Sequence, residues 1–344
     1  MNRDKQVGPA TRLLDGVWNI PLPFPSSLGH SHAYLVEGDN GFVLVDAGWN
    51  SSRTWETLLT GLETAQIGPD DIIGVAITHV HPDHYGLAAR LKEHTGAWIA
   101  MHGLEAVRVL PDVDAMFEGM LDWLRSSGAP EQELDALRVD RDAIVRDLPR
   151  VRPDIILNDG DRVPGMPSLS AIHTPGHTPG HLCFVDESRR IIFTGDHVLP
   201  RITPNISQRP NHGEDPLGHF ARSIAKLRGL GVDLVLPGHE SPLADLDSRL
   251  DEITRHHRLR LEQTIDAIRD GSSTAWEVAA ATPWSRPWAS LQPVQRRSAL
   301  GETLSHLERL VREGRLEQRH GDPVRWQLPG IPVRSSRLLA VQVD

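Results

Sequence analysis

Between Thr78 and Gly86 the chain reads THVHPDHYG, so four side chains able to hold a metal, His79, His81, Asp83 and His84, fall within six positions. The apolar run IIGVAI stands directly before them, with the length and β-branched content of a strand. A strand ending in such a loop delivers polar groups to the edge of a sheet. A loop is needed here, because positions i and i+2 do not share a helical face, whereas a turn can aim His79 and His81 at one ion. Asp83 and His84 are then free to face a neighbouring ion. Imidazole and carboxylate are the ligands that Zn²⁺ and similar borderline ions take when thiolates are missing. The chain has one cysteine, Cys183, which cannot form an internal disulfide and takes thiolate chemistry out of consideration. Cys183 sits inside the apolar run LCFVD, where a buried structural thiol is expected rather than a nucleophile.

Three more apolar runs end in matching groups: His177 in IHTPGHTPGH, Asp196 in IIFTGDH and His239 in LVLPGHE. In a chain with 18 histidines, any one of them taken alone reads as a surface or core residue. Motifs of this kind at successive strand ends are different, because they are expected to line their ligands along one sheet edge.

The remainder of the chain sets the frame. With 39% hydrophobic and 24% charged residues in 344, the composition is that of a folded protein of one large domain, or one large and one small. The start, MNRDKQVGPATRLLDGVW, has no apolar stretch behind its basic residues, and no run approaches the roughly 18 apolar residues of a membrane helix. A cytoplasmic protein without a membrane partner is expected. Residues 249–344 hold 15 Arg against 12 Asp or Glu, a net of +3 that leaves the first 248 residues at −13. An acidic body with a mildly basic tail argues against a dedicated nucleic-acid binder.

Strand-like runs and helix-like runs alternate. HAYLVE, GFVLVDAG and IIGVAITH read as strands, LAARLKEHTG as a helix and AWIAMH as a further strand. Residues 103–150 break this rhythm with a helical pattern and are expected to form an inserted helical subdomain, its Met116, Phe117, Met120 and Trp123 packing it onto the body. Strands resume with DIILNDGDRV, LSAIHTPGH, LCFVD, RIIFTGDHV and VDLVLPGH, with helix FARSIAKLRGLG before the last. From about Asp245 to Gly271 a long connecting helix is predicted. Beyond it come a capping box from Thr274 to Glu277, an amphipathic helix ending at Gly314, and a hairpin turning at His320 to Pro323. Helix, helix, hairpin is the order of a winged-helix module.

Taken together, the motifs VDAG at 45–48, THVHPDH at 78–84, HTPGHTPGH at 173–181, TGD at 194–196 and PGH at 237–239 resemble those of the metallo-β-lactamase fold superfamily. The resemblance spans most of residues 15–245 and extends to the branch with a winged-helix tail. It implies an α/β fold, a four-layer αββα sandwich with a helical insertion and a small C-terminal module. The domains would be residues 1–248, catalytic, and 249–344. By the same resemblance His79, His81 and His177 hold one metal, Asp83, His84 and His239 a second, and Asp196 bridges them. Asp46 resembles the buried aspartate that supports the metal loops, its other reading being a plain strand-end turn. His181, four residues past His177, is assigned to packing or to support. His32 and Tyr85 are candidates for substrate contact, and segments 26–34, 103–150 and 199–216 for the walls of the site.

Two divalent ions about 3.5–4 Å apart can share a water acidic enough to attack near neutral pH, and Asp83 can orient that water through a second carboxylate oxygen. The expectation is a dinuclear hydrolase of an ester-like small molecule, thioester or lactone foremost, using Zn²⁺, although iron or manganese accept the same ligands. A phosphodiesterase or ribonuclease is the rival among hydrolases, supported by Arg255, Arg258, Arg260, Arg296 and Arg297 in the tail. The rival outside enzymology is a metal-stabilised binding or dimerisation protein. Structural zinc sites usually close four ligands on one ion, so seven ligands favour catalysis. The tail module is expected to brace the sandwich or to build a homodimer.

Overall fold

The computed structural model describes residues 7–25, 28–148, 150–210 and 212–330. Its first sheet has seven strands in sequential order: β1 (Thr11–Leu14), β2 (Val17–Pro23), β3 (His30–Gly38), β4 (Gly41–Val45), β5 (Ile72–Ala76), β6 (Trp98–His102) and β7 (Ile155–Leu157). The first four pair antiparallel, and β4 to β7 pair parallel. The second sheet runs β12 (Leu234–Pro237), β11 (Ile191–Gly195), β10 (Leu182–Asp186), β9 (Met166–His173) and β8 (Arg162–Val163), with only β11 and β12 parallel.

Side-chain alternation explains the layers. In β3, Tyr34 and Val36 face the second sheet, where Phe184, Phe193 and Leu236 meet them, while Ala33 and Leu35 face outward. The outward face is covered by α1 (Ser52–Ala65) and α3 (Ala88–Thr95), through Trp55, Leu58, Leu62 and Leu91. In β10 the same period puts Phe184 inward and Cys183 and Val185 outward, under α7 (Pro216–Leu227) and the first half of α8 (Leu246–Arg269). The order is therefore helix, sheet, sheet, helix, with two inner faces sharing one core.

Three features depart from expectation. Strands β1 and β2 and helix α1 are not among the elements read from the sequence, although Ser51 caps α1 and Trp55, Leu58 and Leu62 share one of its faces. In α1, Thr54, Thr57, Thr60, Thr64 and Gly61 are poor helix formers, and packing decides instead. A Cβ at Gly61 would lie 2.6 Å from Ile20 Cγ2, so glycine lets the helix seat against β2. Helix α8 is more than a connector, since Leu246, Leu250 and Ile253 complete the outer layer before Ile265, Ala267 and Ile268 enter a separate cluster.

That separate cluster gives the third departure. Residues 103–146 form α4 (Gly103–Ala106), α5 (Val113–Ser126) and α6 (Glu131–Arg146). Phe117, Leu121, Leu124, Leu134 and Leu137 of α5 and α6 do not pack on the sandwich body. They share a core with α9 (Ala275–Ala281), α10 (Pro293–Arg312) and the hairpin β13 (Glu317–Arg319) and β14 (Arg325–Gln327), through Val278, Leu300, Leu307 and Trp326. Met116, Met120 and Trp123 edge the same cluster. Two stretches more than a hundred residues apart thus form one apolar unit. Within it Arg296 pairs with Glu133 at 2.7 Å and Arg297 with Asp140 at 2.7 Å, joining α10 to α6. Among the described residues no helix is long and apolar enough to cross a membrane.

Candidate metal centre

The seven predicted ligands meet in two groups: His79, His81, His177 and Asp196 in one, Asp83, His84 and His239 in the other. They come from the ends of β5, β11 and β12 and from the β9–β10 connection, so the site lies where two sheets meet, not along one sheet edge. His79 and His81 occupy the loop after β5, as their spacing requires. Asp83 and His84, however, stand on a one-turn helix, α2 (Pro82–Tyr85), started by Pro82.

Hydrogen bonds fix which nitrogen each ring turns inward. His84 Nδ1 donates to Asp46 Oδ2 at 2.7 Å, His177 Nδ1 to the Asn205 carbonyl at 2.9 Å and His239 Nδ1 to the His30 carbonyl at 2.9 Å. Thr78 Oγ1 donates to Asp46 Oδ2 at 2.8 Å, and so accepts from His79 Nδ1 at 3.0 Å. With those protons placed outside, the Nε2 atoms of His79, His84, His177 and His239 present lone pairs to the centre.

The lone pairs converge. His81 Nδ1 lies 2.9 Å from His79 Nε2 and 3.0 Å from His177 Nε2, and His81 can donate to only one of them. Two ligand nitrogens about 2.0–2.1 Å from one tetrahedral ion stand roughly 3.3 Å apart, so these separations suit a shared cation. In the second group His239 Nε2 is 3.1 Å and His84 Nε2 3.7 Å from Asp83 Oδ2. Asp196 faces both groups: its Oδ2 is 3.6 Å from His177 Nε2, while its Oδ1 is 3.4 Å from His84 Nε2 and 3.5 Å from His239 Nε2. His84 Nε2 and Asp196 Oδ1 are buried without a hydrogen-bond partner. Buried acceptors left unpaired in this way are what a metal satisfies, and the donor set fits two ions.

Charge follows the same division. Burial holds His79 and His81 well below the ordinary imidazole range, with neighbouring histidines adding to it, which keeps the neutral, ligating form. Burial also opposes a charge on His84, but Asp196, Asp83 and Asp46 outweigh it and raise that ring well above the usual value, so positive charge is favoured at Nε2, as a proton or as a cation bound in its place. Burial would raise Asp196, yet His239 and His84 hold it well below the carboxylate range.

Asp46 is buried at the end of β4, with φ of 62°, a left-handed conformation that Asp tolerates better than most residues. It accepts from Thr78 N at 2.8 Å as well as from Thr78 Oγ1 and His84. His181 lies in neither group. Its Nδ1 is 2.9 Å from Thr174 Oγ1 and its ring centroid 5.2 Å from that of His79. A Cβ at Gly238, just before His239, would lie 2.6 Å from His84 Cε1 and 2.7 Å from Asp196 Oδ1, so only glycine leaves room for the ligands.

The two substrate-contact candidates are both enclosed. Tyr85 is 1% exposed, packs in the core under α1 and α3, and donates to the Val151 carbonyl. His32 is buried, and its Nε2 donates to the Glu240 carbonyl. Of the expected wall segments, Ser26, Ser27, Pro149 and Asn211 lie outside the described residues. Cys183 is fully buried, its thiol pushed up to about 12 by burial.

The sequence reading missed Glu105. Wholly buried, it accepts from Val80 N at 2.9 Å and from Gly180 N at 2.7 Å, tying the loop of His79 and His81 to the loop of His177. A glutamate within a helical pattern gives no local hint of that.

A model of the metallo-beta-lactamase superfamily matches residues 27–239. The chain belongs to the metallo-beta-lactamase superfamily. As a metallo-beta-lactamase superfamily hydrolase it is similar to the probable metallo-hydrolase YqjP of Bacillus subtilis, at 24% identity over 86% of this chain and 92% of that one. It is also similar to human acyl-coenzyme A thioesterase MBLAC2, at 30% identity over 65% of this chain and 78% of that one. Among solved structures, a metallo-beta-lactamase family protein from Thermus thermophilus matches with a TM-score of 0.79 and 30% identity, over 92% of this chain and all of that one.

Proposed function

We propose that this protein is a dinuclear metal-dependent hydrolase of a small ester-like substrate, with thioesters foremost. The observation that carries the reading is Asp196, whose two oxygens face the two histidine groups separately. His79, His81 and His177 would hold one ion, Asp83, His84 and His239 the other, and Asp196 both. When bound, the pair would supply Lewis acidity and a water acidic enough to attack at neutral pH.

The chain's own residues do the positioning. Asp83 directs Oδ2 toward His239, and its other oxygen would take the proton of, and orient, an attacking water. Asp46 and Thr78 hold His84 and His79 in one tautomer, and Glu105 keeps the two loops in register. Thioester chemistry is supported by the likeness to an enzyme named for acyl-coenzyme A thioesters.

The nuclease reading draws less support. Arg260 is buried, donates to the Pro283 carbonyl at 2.6 Å and lies over Trp284, and Arg296 and Arg297 pair with Glu133 and Asp140. Three of the five tail arginines therefore face inward. In this reading residues 1–248 form the catalytic domain, with 103–150 an insertion, and 249–344 a winged-helix-like module led by α8, whose first half completes the catalytic sandwich.

Bound metal per chain and turnover of thioester, lactone, β-lactam and phosphodiester panels test this together. Two transition-metal ions per chain and a thioester preference, both lost in His79→Ala, are the expected result. A metal-free purified protein, or hydrolysis that survives His79→Ala, overturns it.

A further inference from the structure

Beside the metal centre three arginines bring enclosed N–H groups that have no acceptor among the described residues: Arg108 Nη1, Arg209 Nε and Arg297 Nη1. A guanidinium carries five donors and stays charged, so enclosing such groups unpaired costs their hydration without return.

The three are joined by contacts. Arg108 Nη2 donates to His212 Nε2 at 2.9 Å, and His212 N donates to the Arg209 carbonyl at 3.1 Å. Arg209 Nη2 donates to Ser298 Oγ at 3.4 Å, next to Arg297 on α10. Carboxylates do not reach the enclosed N–H groups. Asp140 pairs with Arg297 through Nη2 only, and Glu105, whose charge is felt at Arg108, commits one oxygen to Val80 and the other to Gly180. No ion pair of Arg209 is found among the described residues. Burial, with Arg108 and Arg297 beside it, brings Arg209 down to about 10. The cluster also faces the metal loops: the charge of Arg108 is felt at His81, and the Asn205 carbonyl that orients His177 lies four residues before Arg209.

We propose that Arg108, Arg209 and Arg297 form an anion-binding subsite that holds a phosphate or carboxylate of the substrate while its ester bond lies at the metal centre. The proposal rests on the hydrolase reading for the identity of its ligand. Guanidinium forks match planar or tetrahedral oxyanions, and the three cations come from α4's end, the 199–215 loop and α10, so no stretch of sequence contains the site. Mutual repulsion is the cost of keeping it ready, and an oxyanion removes that cost.

Thermal melting of the metal-loaded protein tests this without turnover. Inorganic phosphate and succinate are added separately, each against chloride at equal ionic strength. A rise in Tm with one of them is expected in the wild type and not in Arg209→Gln at unchanged metal content, and which probe acts tells phosphate from carboxylate. Arg209→Gln without added anion should melt no lower than the wild type. Arg108→Gln, with the same expected loss, serves if Arg209→Gln does not fold. An equal rise in wild type and variant places the anion on the metals and overturns the subsite, as does no rise with either probe. Kinetically, the kcat/KM ratio of a phosphate-bearing thioester over a neutral one with the same acyl group should fall about tenfold in Arg209→Gln. Anion-dependent melting in a protein that hydrolyses no ester would leave the subsite standing and sink the hydrolase reading instead.

Discussion

Asp46 Oδ2 accepts a hydrogen bond from His84 Nδ1 at 2.7 Å, and both side chains are buried. The same carboxylate accepts from Thr78, which in turn receives His79 Nδ1, so one acidic group sets the tautomers of a histidine in each metal group. Asp46→Asn keeps the shape and loses the charge. Metal affinity is expected to drop about 10–100-fold, read by competition with a chelator. An unchanged affinity would reduce Asp46 to a turn residue.

Glu105→Ala leaves two enclosed N–H groups, those of Val80 and Gly180, without an acceptor. Each is worth about 1–3 kcal/mol when orphaned, so the midpoint of urea unfolding should fall, and bound metal should fall with it because both loops carry ligands. Glu105→Gln, which can still accept, should recover part of the loss. Equal damage from both variants would point to the charge instead of the two bonds.

Stability should weaken in acid partly through His306, which is not among the candidate metal ligands. It is 1% exposed on α10, and burial brings it down to about 3; its Nδ1 donates to the Glu302 carbonyl, and His257, His256 and Arg260 stand beside it. Unfolded, it titrates near 6.5, so between about 6.5 and 3 the unfolded chain binds a proton that the folded one refuses. The contribution is therefore complete above 6.5 and is lost as pH falls, at about 1.4 kcal/mol per pH unit. The stability gap between wild type and His306→Gln should narrow by about 2 kcal/mol from pH 7 to pH 5. Parallel denaturation curves at the two pH values would refute this.

Phe117→Ala tests whether α5 and α6 fold as one unit with the C-terminal elements. Phe117 is 5% exposed in the cluster with Leu300, Leu307 and Trp326. Truncation should cost about 3–5 kcal/mol and should raise hydrogen exchange in α9 and α10 together with α5. Exchange confined to α5 and α6 would separate the two.

Much of the site is legible in the chain because metal chemistry demands particular residue types. Apolar runs of strand length ending in His or Asp locate His79, His81, Asp83, His84, His177, Asp196 and His239, and strand periodicity finds β3 to β12. What the chain by itself determined is thus the candidate ligand set and the alternation of strands and helices, since both depend on local pattern and side-chain chemistry. The tertiary structure decided that those ligands come from two sheets, that α5 and α6 pack on α9 and α10, and that Glu105, Asn205 and three arginines surround the metal loops. Those relations depend on which distant segments bury each other's apolar faces, and an isolated glutamate or arginine looks the same whether it meets water or a backbone N–H a hundred residues away.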